Sequence, residues 1–310
     1  MPHIPVLVEE VLNYLNANKS RKFVDGTVGS GGHLFAILLA NPMSEVVGID
    51  LDQTSLDNLL IEVVQKGLGQ RVKLAQGNYS AIDKILEENN IGLVDGILLD
   101  LGFSSSQLDN PVRGFSFQTD SALDMRYDQA SSLTAEEVVN SYHARDLEEI
   151  FAEYGEEKFA KKIAANIVRD RKVEPIKTTT KLGEIIRLSL PAPVRYKAND
   201  SIRRVFQALR IEVNHELENL KTFLPKAMKL LSPGGRLVII SFQSLEDRIV
   251  KNFFLEEAKG CVCPPEFPVC ICNKASKAKI LTRKPVTATE EEIEKNSRSR
   301  PAKLRALEKL

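Results

Sequence analysis

The sequence of 310 residues lacks any run of about 18 consecutive apolar residues, the length that a membrane-spanning helix needs. Its first residues, Met-Pro-His-Ile-Pro, also lack the charged region and apolar core of a signal peptide. Hydrophobic residues make up 43% and charged residues 27% of the chain, as in ordinary soluble globular proteins. We therefore expect a cytoplasmic protein without a membrane partner, folded as one large domain or two.

Cysteine is scarce, and all four cysteines lie in one short segment that reads Cys261-x-Cys263 and Cys270-x-Cys272. A cytosolic location argues against disulfides. Four thiols could bind zinc tetrahedrally, but the usual zinc spacing is C-x₂-C, so the match is imperfect. The sequence favours reduced thiols on a tight hairpin over a zinc site, and we assign no metal ligand from it.

The chain also lacks a net charge, since 42 Lys and Arg balance 42 Asp and Glu, but the charges are unevenly distributed. Residues 1–160 carry 11 basic and 25 acidic residues. Residues 161–210 carry 13 basic and 4 acidic residues, and residues 274–310 carry 11 and 5. A solvated helix face is the ordinary meaning of a single charged run. Two separate basic blocks favour a polyanionic partner, most simply nucleic acid.

The stretch from Phe23 to His33, Phe-Val-Asp-Gly-Thr-Val-Gly-Ser-Gly-Gly-His, predicts a strand, a tight loop and the start of a helix. Its glycines permit backbone conformations that side chains forbid, and they let a ligand approach the main chain closely. The helix start presents unpaired N–H groups. The spacing differs from the dinucleotide fingerprint G-x-G-x-x-G. It is close to the D-x-G-x-G-x-G loop of S-adenosylmethionine (SAM) enzymes, with Thr27 in place of one glycine.

Strand and helix patterns alternate after this loop, which predicts a doubly wound, Rossmann-like α/β sheet. Ligands of such sheets bind at the carboxyl ends of the strands, where Asp25, Asp50, Tyr79 and Asp100 fall. Asp50 suits the ribose hydroxyls of a cofactor, and its alternative role is a helix N-cap. The predicted strands are 23–25, 46–50, 72–76 and 94–100, and the helices between them are 53–66 and 81–89.

The alternation stops after Asp100, and residues from about 110 to 205 show helical spacing without a clear strand. A long helix is predicted over Val205–Leu231, closed by Ser232-Pro-Gly-Gly235, and a strand resumes at Arg236–Ser241. We predict a discontinuous cofactor domain of residues 1–109 and 206–310. A mostly helical domain of residues 110–205, inserted into it, would hold the substrate.

Many motifs in one order give the chain a resemblance to a known family, that of ribosomal RNA small subunit methyltransferase H, also called MraW. The resemblance covers essentially the whole chain. The motifs are His3-x-Pro-Val-Leu, Asp25-Gly-Thr-x-Gly-x-Gly-Gly-His33, Gly48-Ile-Asp-x-Asp52, Asp95-Gly-Ile-Leu-Leu-Asp-Leu-Gly102, Ser104-Ser-x-Gln-Leu-Asp109, Arg113-Gly-Phe-Ser-Phe117, Leu123-Asp-Met-Arg126, Tyr154-Gly-Glu-Glu157, Phe206-Gln-Ala-Leu-Arg-Ile211 and Ser244-Leu-Glu-Asp-Arg248.

The resemblance implies a SAM-dependent enzyme that methylates the exocyclic N4 of one cytidine in the decoding region of 16S rRNA, with the small ribosomal subunit as partner. A homodimer is compatible with the sequence, which does not fix the oligomeric state. By the same resemblance, Asp50 would bind the ribose and Tyr79, where the family has Phe, would lie near the adenine. The residues implied to hold the cofactor are Gly31, Gly32, His33, Asp50, Tyr79, Asp100 and Gln107.

The chain departs from the family pattern in its tail, where Asn296-Ser-Arg-Ser-Arg-Pro301 stands in place of N-P-R-S-R-S, and at two earlier places. Ser201-Ile-Arg-Arg204 replaces the usual P-A-T-R, and Gln243 replaces the histidine of S-F-H-S-L-E-D-R. Gln243 argues against an essential histidine base at that position.

The end of the fourth strand suggests how the amine could be activated. DNA amino-methyltransferases carry a D-P-P-Y type loop there, and Asp100-Leu-Gly-Phe103 occupies the equivalent place. We predict that Asp100 or a neighbouring carbonyl orients the cytosine amine and that Phe103 stacks on the base. The alternative is that Asp100 contacts only the cofactor. For His33, the alternative to cofactor binding is a helix-start residue turned to solvent.

Other classes of protein share parts of these patterns. A nicotinamide oxidoreductase would share the fold, but the glycine spacing and the basic blocks count against it. A non-catalytic RNA-binding protein would share the basic blocks but would not need a complete cofactor loop. The nearest alternative is a SAM-dependent methyltransferase that acts on another RNA or on a small molecule.

Overall fold

The computed structural model describes residues 5–19, 21–102, 113–261, 263, 272 and 274–310. It divides into two compact units, one made of Met1–Gly102 with Leu217–Leu310 and the other of Phe103–Glu216. The borders between the units thus lie at 102/103 and 216/217, whereas the predicted domain borders lie at 109/110 and 205/206. Among the described helices, none has the length and apolar character that crossing a bilayer would need.

The first unit is built on a seven-stranded sheet with the order β3-β2-β1-β4-β5-β7-β6. Strands β1 to β5 are parallel, and β7 is antiparallel to both β5 and β6. The predicted doubly wound α/β class is confirmed, as are the four predicted N-terminal strands. The strands are β1 Lys22–Asp25, β2 Glu45–Asp50, β3 Val72–Gln76, β4 Val94–Asp100, β5 Leu231–Ser241, β6 Ala278–Ile280 and β7 Lys303–Lys309.

Helices cover both faces of this sheet because side chains alternate along its buried strands. In β4, Ile97 and Leu99 join the apolar cluster on one face, and Leu98 joins the cluster on the other. The helices of the first unit are α1 Val8–Leu15, α2 Gly32–Ala40, α3 Gln53–Gln65, α4 Ile82–Glu88, α10 Glu216–Leu230, α11 Ser244–Ala258 and α12 Glu290–Lys295.

Within its described residues the second unit is mostly helical, with an irregular segment over 114–133 and one isolated bridge between Ala122 and Thr178. Thr134 and Thr178 cap two helices by accepting a backbone N–H three residues further on. The apolar stripes of these helices form one buried cluster. The helices are α5 Ala135–Ser141, α6 Ala144–Glu153, α7 Ala160–Asp170, α8 Thr179–Ser189 and α9 Ala198–Asn214.

The structure corrects the predicted long helix over Val205–Leu231. Two helices, α9 and α10, replace it, because His215 adopts a left-handed conformation with φ of 51° and ends α9. The predicted closing turn at Ser232–Gly235 is also wrong. Strand β5 begins at Leu231 and includes this segment. The pairing of β5 with β4 is irregular there, and Gly234 has φ of 79°.

Candidate active site

Three neighbouring parallel strands, β1, β2 and β4, each end in an aspartate, so their carboxyl ends bring Asp25, Asp50 and Asp100 to one edge of the sheet. The loop between β1 and α2 is held against both neighbours of β1. Gly26 N–H donates to Leu98 O at 2.9 Å, and Val28 N–H donates to Ile49 O at 2.9 Å. The glycine loop is thus fixed beside the two strand ends at which ligands of such sheets bind.

Thr27, which replaces a glycine of the usual loop, has a structural role that the sequence did not indicate. The backbone N–H of Asp100 donates to Thr27 Oγ1 at 2.8 Å. Thr27 N–H in turn donates to Asp25 Oδ1 at 3.2 Å. The hydroxyl therefore links the loop to the end of β4, and it helps to fix where the Asp100 backbone lies.

Gly31 and Gly32 form the junction between loop and helix. Gly31 precedes α2 with φ of 82°, and a Cβ built on it would lie 2.4 Å from Leu59 Cδ1. The backbone angle therefore favours glycine, and a Cβ would also displace the end of the Leu59 side chain. His33 follows in the first turn of α2 and is only 6% exposed, so the alternative of a solvent-facing residue is wrong.

His33 faces the buried acids. Its Nε2 lies 3.6 Å from Asp100 Oδ2. Both ring nitrogens of His33, together with Asp100 Oδ1, are buried without a hydrogen-bond partner among the described residues. Buried polar atoms normally have a partner, so three such atoms beside a glycine loop suit a polar ligand at this place.

Burial and neighbouring charges shift the pKa values of the side chains in this cluster. Asp25 is 1% exposed, and burial raises its pKa to about 7, with Asp100 and Asp50 adding to the rise and His33 opposing it. Burial alone would lower the pKa of His33, but the carboxylates of Asp100 and Asp25 outweigh it and raise that pKa above its ordinary value. Asp25 therefore gains or loses a proton near neutral pH.

Asp50 organises the turn between β2 and α3. Its Oδ2 accepts from Gly29 N–H at 2.8 Å and its Oδ1 from Asp52 N–H at 2.9 Å. Asp52, which accepts from Thr54 N–H, is the N-cap of α3, so the N-cap alternative for Asp50 is wrong. Burial raises the pKa of Asp50, although both N–H donors oppose the rise. Each oxygen retains acceptor capacity for a further donor such as a ribose hydroxyl.

Tyr79 opens a short 3₁₀ helix directly after β3. Its ring packs edge-to-face against Phe223 with centroids 5.5 Å apart. On its other side, its Cβ would lie 3.4 Å from a Cβ placed on Gly26, so the side chain starts beside the glycine loop. Phe103 and Gln107, the other predicted site residues, lie outside the described residues, and their roles stay predictions.

Several motifs of the substrate half form polar contacts inside the second unit that the sequence did not reveal. Arg204 Nε donates to Glu157 Oε2 at 2.7 Å, and its Nη2 donates to Ser201 Oγ at 3.0 Å. This pairing neutralises a carboxylate whose side chain is fully buried. The segment Ser201–Arg204, which departs from the family pattern, therefore has a structural function within the second unit.

A second network in the same unit surrounds the end of α9. Arg210 binds Glu216 through two hydrogen bonds of 2.7 and 2.9 Å. Asn214 donates to Met125 O at 2.7 Å and accepts from Tyr127 N–H at 2.6 Å. Met125 of the motif 123–126 therefore contacts Asn214, which lies three residues beyond the motif 206–211, although the two are far apart in sequence.

Gln243, the other departure from the family pattern, belongs to the first unit and caps α11. Its side chain and that of Glu246 form a reciprocal capping box, in which Gln243 Nε2 also donates to Glu246 Oε1 at 2.9 Å. A glutamine can therefore serve the local structure at this position.

The parallel sheet with its antiparallel β7 and the acidic strand ends around a glycine loop form a Rossmann-like domain of the class found in SAM-dependent methyltransferases. The model of the MraW methylase family matches residues 1–310, and the chain belongs to that family. The predicted family, methyltransferase class and cofactor are thereby confirmed.

Curated relatives cover nearly the same length. The chain is 46% identical over 308 residues to a protein of Carboxydothermus hydrogenoformans, covering 99% of this chain and 98% of that one. It is 47% identical over 313 residues to a protein of Halothermothrix orenii, with 100% and 99% covered. Over 309 residues it is 47% identical to a protein of Caldicellulosiruptor saccharolyticus, with 99% of each chain covered. All three are named "Ribosomal RNA small subunit methyltransferase H".

Proposed function

We propose that this protein transfers a methyl group from SAM to the exocyclic N4 of one cytidine in the decoding region of 16S rRNA, within the small ribosomal subunit. The names of the relatives support rRNA of the small subunit as the substrate. The choice of cytidine N4 rests on the family resemblance and on the acidic residue at the end of β4. A cytoplasmic location follows from this substrate.

The observation that carries the proposal is the meeting of Asp25, Asp50, Asp100 and His33 around one glycine loop. We propose that Gly31, Gly32 and His33 contact SAM from the loop. Asp50 would accept the ribose hydroxyls through its remaining lone pairs. Tyr79 would cover the adenine, and Asp100 with Gln107 would complete the cofactor site. The carboxylates also complement a cationic ligand, since three acids face one histidine.

Bound SAM supplies an electrophilic methyl group on a positively charged sulfur. The task of the protein is to hold the amine in line with that methyl, because the nitrogen lone pair is delocalised into the cytosine ring. Asp100 Oδ1 is a buried acceptor with capacity to receive an amine hydrogen, which would favour a tetrahedral nitrogen. Phe103 would stack on the base.

The first basic block supports an RNA substrate. Three of its 13 basic residues are half-buried and bind other parts of the chain: Arg171 donates to Val139 O, Arg204 binds Glu157, and Arg210 binds Glu216. The other ten side chains are solvent-exposed, which suits phosphate contacts. They are Lys161, Lys162, Arg169, Lys172, Lys177, Lys181, Arg187, Arg195, Lys197 and Arg203.

The test is methyl transfer from radiolabelled SAM to small ribosomal subunits that lack the modification, followed by nucleoside analysis. We expect the label in N4-methylcytidine of 16S rRNA. Label in a different nucleoside, or label only in other RNAs or small molecules while SAM binding is intact, would contradict the assigned target. Sedimentation of the purified protein distinguishes a monomer from a homodimer.

Replacing Asp100 by Asn tests its catalytic role. We expect turnover to fall by roughly 10²–10⁴-fold because a carboxylate acceptor for the amine is lost, while SAM affinity changes far less. The measurement is single-turnover methyl transfer together with SAM titration. Asp95→Asn is the control, since Asp95 lies near the opposite end of β4 and accepts from Arg21 and Lys22 N–H groups. Full turnover in Asp100→Asn would leave Asp100 a cofactor contact only.

Replacing Asp50 by Asn tests the cofactor assignment. We expect SAM affinity to fall by about 10-fold or more, since one charge-assisted acceptor for the ribose is lost. Turnover at saturating SAM should change little. Asp52→Asn is the matched control, because Asn caps a helix about as well as Asp. Equal SAM affinity in both variants, measured by calorimetry, would remove Asp50 from the cofactor site.

A further inference from the structure

The cysteines are a sequence feature that the methyltransferase site does not use, and the structure brings three of them together. The Sγ atoms of Cys261, Cys263 and Cys272 all lie within 4.8 Å of one another. Cys261 and Cys263 follow helix α11, while Cys272 approaches from the segment that leads into β6. Sequence spacing alone favours reduced thiols on a tight hairpin, whereas the convergence of three sulfurs on one point is typical of a metal site.

The distances suit a metal better than a disulfide. The Sγ atoms of Cys272 and Cys261 are 3.7 Å apart, whereas a disulfide would require about 2.05 Å. Two thiolates bound to one zinc at about 2.3 Å with tetrahedral angles are separated by about 3.8 Å. A single disulfide would also join only two of the three thiols, whereas one metal ion can bind all three.

Contacts beside the thiols hold together the two limbs of this segment, one that leaves α11 and one that leads into β6. Lys277 N–H donates to Glu257 O at 2.9 Å, which ties the returning limb to the end of α11. Lys274 and Glu256 form an ion pair between the same two limbs. Cys263 N–H lies 3.4 Å from Cys261 Sγ and donates to it, as backbone amides do around metal-bound thiolates. The three sulfurs therefore converge on a framework that other contacts help to build.

We propose that Cys261, Cys263 and Cys272 bind one zinc ion. Thiolate ligands in a tetrahedral arrangement select zinc or iron–sulfur chemistry, and three protein thiols around a single point fit a mononuclear zinc site. Zinc binding displaces the thiol protons to solvent and involves no change of oxidation state. Cys270 lies outside the described residues, and the proposal rests on the three thiols that are described.

The proposed ion is structural, because the cysteines lie between α11 and β6, and two strands separate β6 from the acid-tipped β4 in the sheet. It would join the end of α11 to the segment before β6, the three-residue strand at the edge of the sheet. Closing this connection reduces the conformational freedom of the chain between the two elements. Loss of the ion should therefore loosen β6 first and leave the far edge of the sheet, at β3, unchanged.

The test is metal analysis of the full chain, expressed without a metal-binding tag and purified anaerobically with a reductant. We expect one zinc ion per chain by mass spectrometry of the metal content. Cys261→Ser and Cys272→Ser should each lose most of it. Ser276→Ala is the matched control, since it removes one hydroxyl, which bonds Ala278 O in the same segment, but no thiol, and it should keep the metal.

A second measurement holds even if the cysteine variants fold poorly. Wild-type protein stripped of metal should bind Co²⁺ with a thiolate charge-transfer band and tetrahedral visible bands, and zinc should displace the cobalt. Amide hydrogen exchange of β6 should slow on zinc addition, while that of β3 should not change. Three results would each overturn the proposal: no zinc in the wild type and no thiolate band with Co²⁺, undiminished zinc in both cysteine variants, or iron in place of zinc.

Discussion

At the scale of single residues, the candidate site holds ionisable side chains in buried positions, where water solvates them poorly. Asp25 and His33 are almost fully buried, and both have raised pKa values, that of Asp25 to about 7. Burial of an ionised carboxylate is costly unless it is paired, and here the partners are few and close. Perturbed groups of this kind gather at functional sites, which fits the cofactor site proposed for this loop.

Replacing Asp25 by Asn tests this cost through the pH dependence of stability. The pKa of Asp25 is about 7 in the folded chain against an ordinary value of 3.8, so between these values the folded state holds a proton that the unfolded state has lost. The free energy of unfolding must therefore fall as the pH rises through that window, and the raised pKa of His33 acts in the same direction.

We expect Asp25→Asn to lack part of this fall and to exceed the wild type by about 2 kcal/mol at pH 8. The measurement is urea unfolding at several values between pH 5 and pH 8. Asp52→Asn, which changes a more accessible helix cap, should follow the wild-type pH dependence. An Asp25→Asn profile parallel to that of the wild type would contradict the assignment of the shift to Asp25.

The sequence predicted the positions of Asp25, Asp50 and Asp100 because each ends an apolar run, and strand ends meet at one edge of a parallel sheet. It did not predict the Thr27 hydrogen bond to Asp100 or the burial of His33. Those depend on how neighbouring strands lie against the loop, which periodicity along one strand does not contain. The same reason hid the convergence of Cys272 with Cys261.

At the scale of elements, the break between α9 and α10 is the largest difference from the sequence prediction. No glycine or proline lies at the break, and the apolar spacing of a helix continues across it. The pattern alone therefore predicts one helix. The break lies at His215, and the bidentate pair of Arg210 with Glu216 spans it. The side chains of this pair are 16% and 9% exposed, so neither charge is well solvated.

Replacing Arg210 by Ala should destabilise the protein by about 3 kcal/mol, because the Glu216 carboxylate would remain buried without its cation. Arg203→Ala is the control in the same helix. Its ion pair with Asp200 has side chains 68% and 52% exposed, and its loss should cost under about 0.5 kcal/mol. Urea unfolding of both variants makes the comparison. Equal stabilities would mean that the break does not depend on the Arg210–Glu216 pair.

At the scale of the whole molecule, the two basic blocks that look alike in sequence differ in structure. Most of the block 161–210 is exposed. In the block 274–310, by contrast, Arg305 binds Asp247 and Lys309 donates to backbone carbonyls. Lys274 forms an ion pair with Glu256, and Lys277 lies 3.9 Å from Glu257. The other exposed basic residues of this block, Lys279, Arg283, Lys284, Lys295, Arg298 and Arg300, remain candidates for phosphate contacts, so its charge count overstates it only in part.

Salt dependence of RNA binding tests the first block. The double variant Lys161→Ala/Lys162→Ala should bind small-subunit rRNA more weakly, and its plot of log affinity against log salt should be shallower by about 1.4–1.8, since two phosphate contacts are lost. The control is Lys221→Ala/Lys251→Ala, which removes two exposed charges from the first unit. Filter binding over a range of salt concentrations gives both slopes. Identical slopes for the two double variants would exclude Lys161 and Lys162 from the RNA surface.

Strand β7 carries a consequence for how the protein is made. Lys303–Lys309 is translated after every other strand, yet it lies between β5 and β6 in the finished sheet. Until it emerges from the ribosome, β5 has no partner on one side and β6 has no place in the sheet. From the emergence of β5 until that of β7, the nascent chain thus carries an open, apolar strand edge, the kind of surface that chaperones bind and that pairs wrongly between chains. Yield of folded protein should therefore depend on what protects β5 during translation.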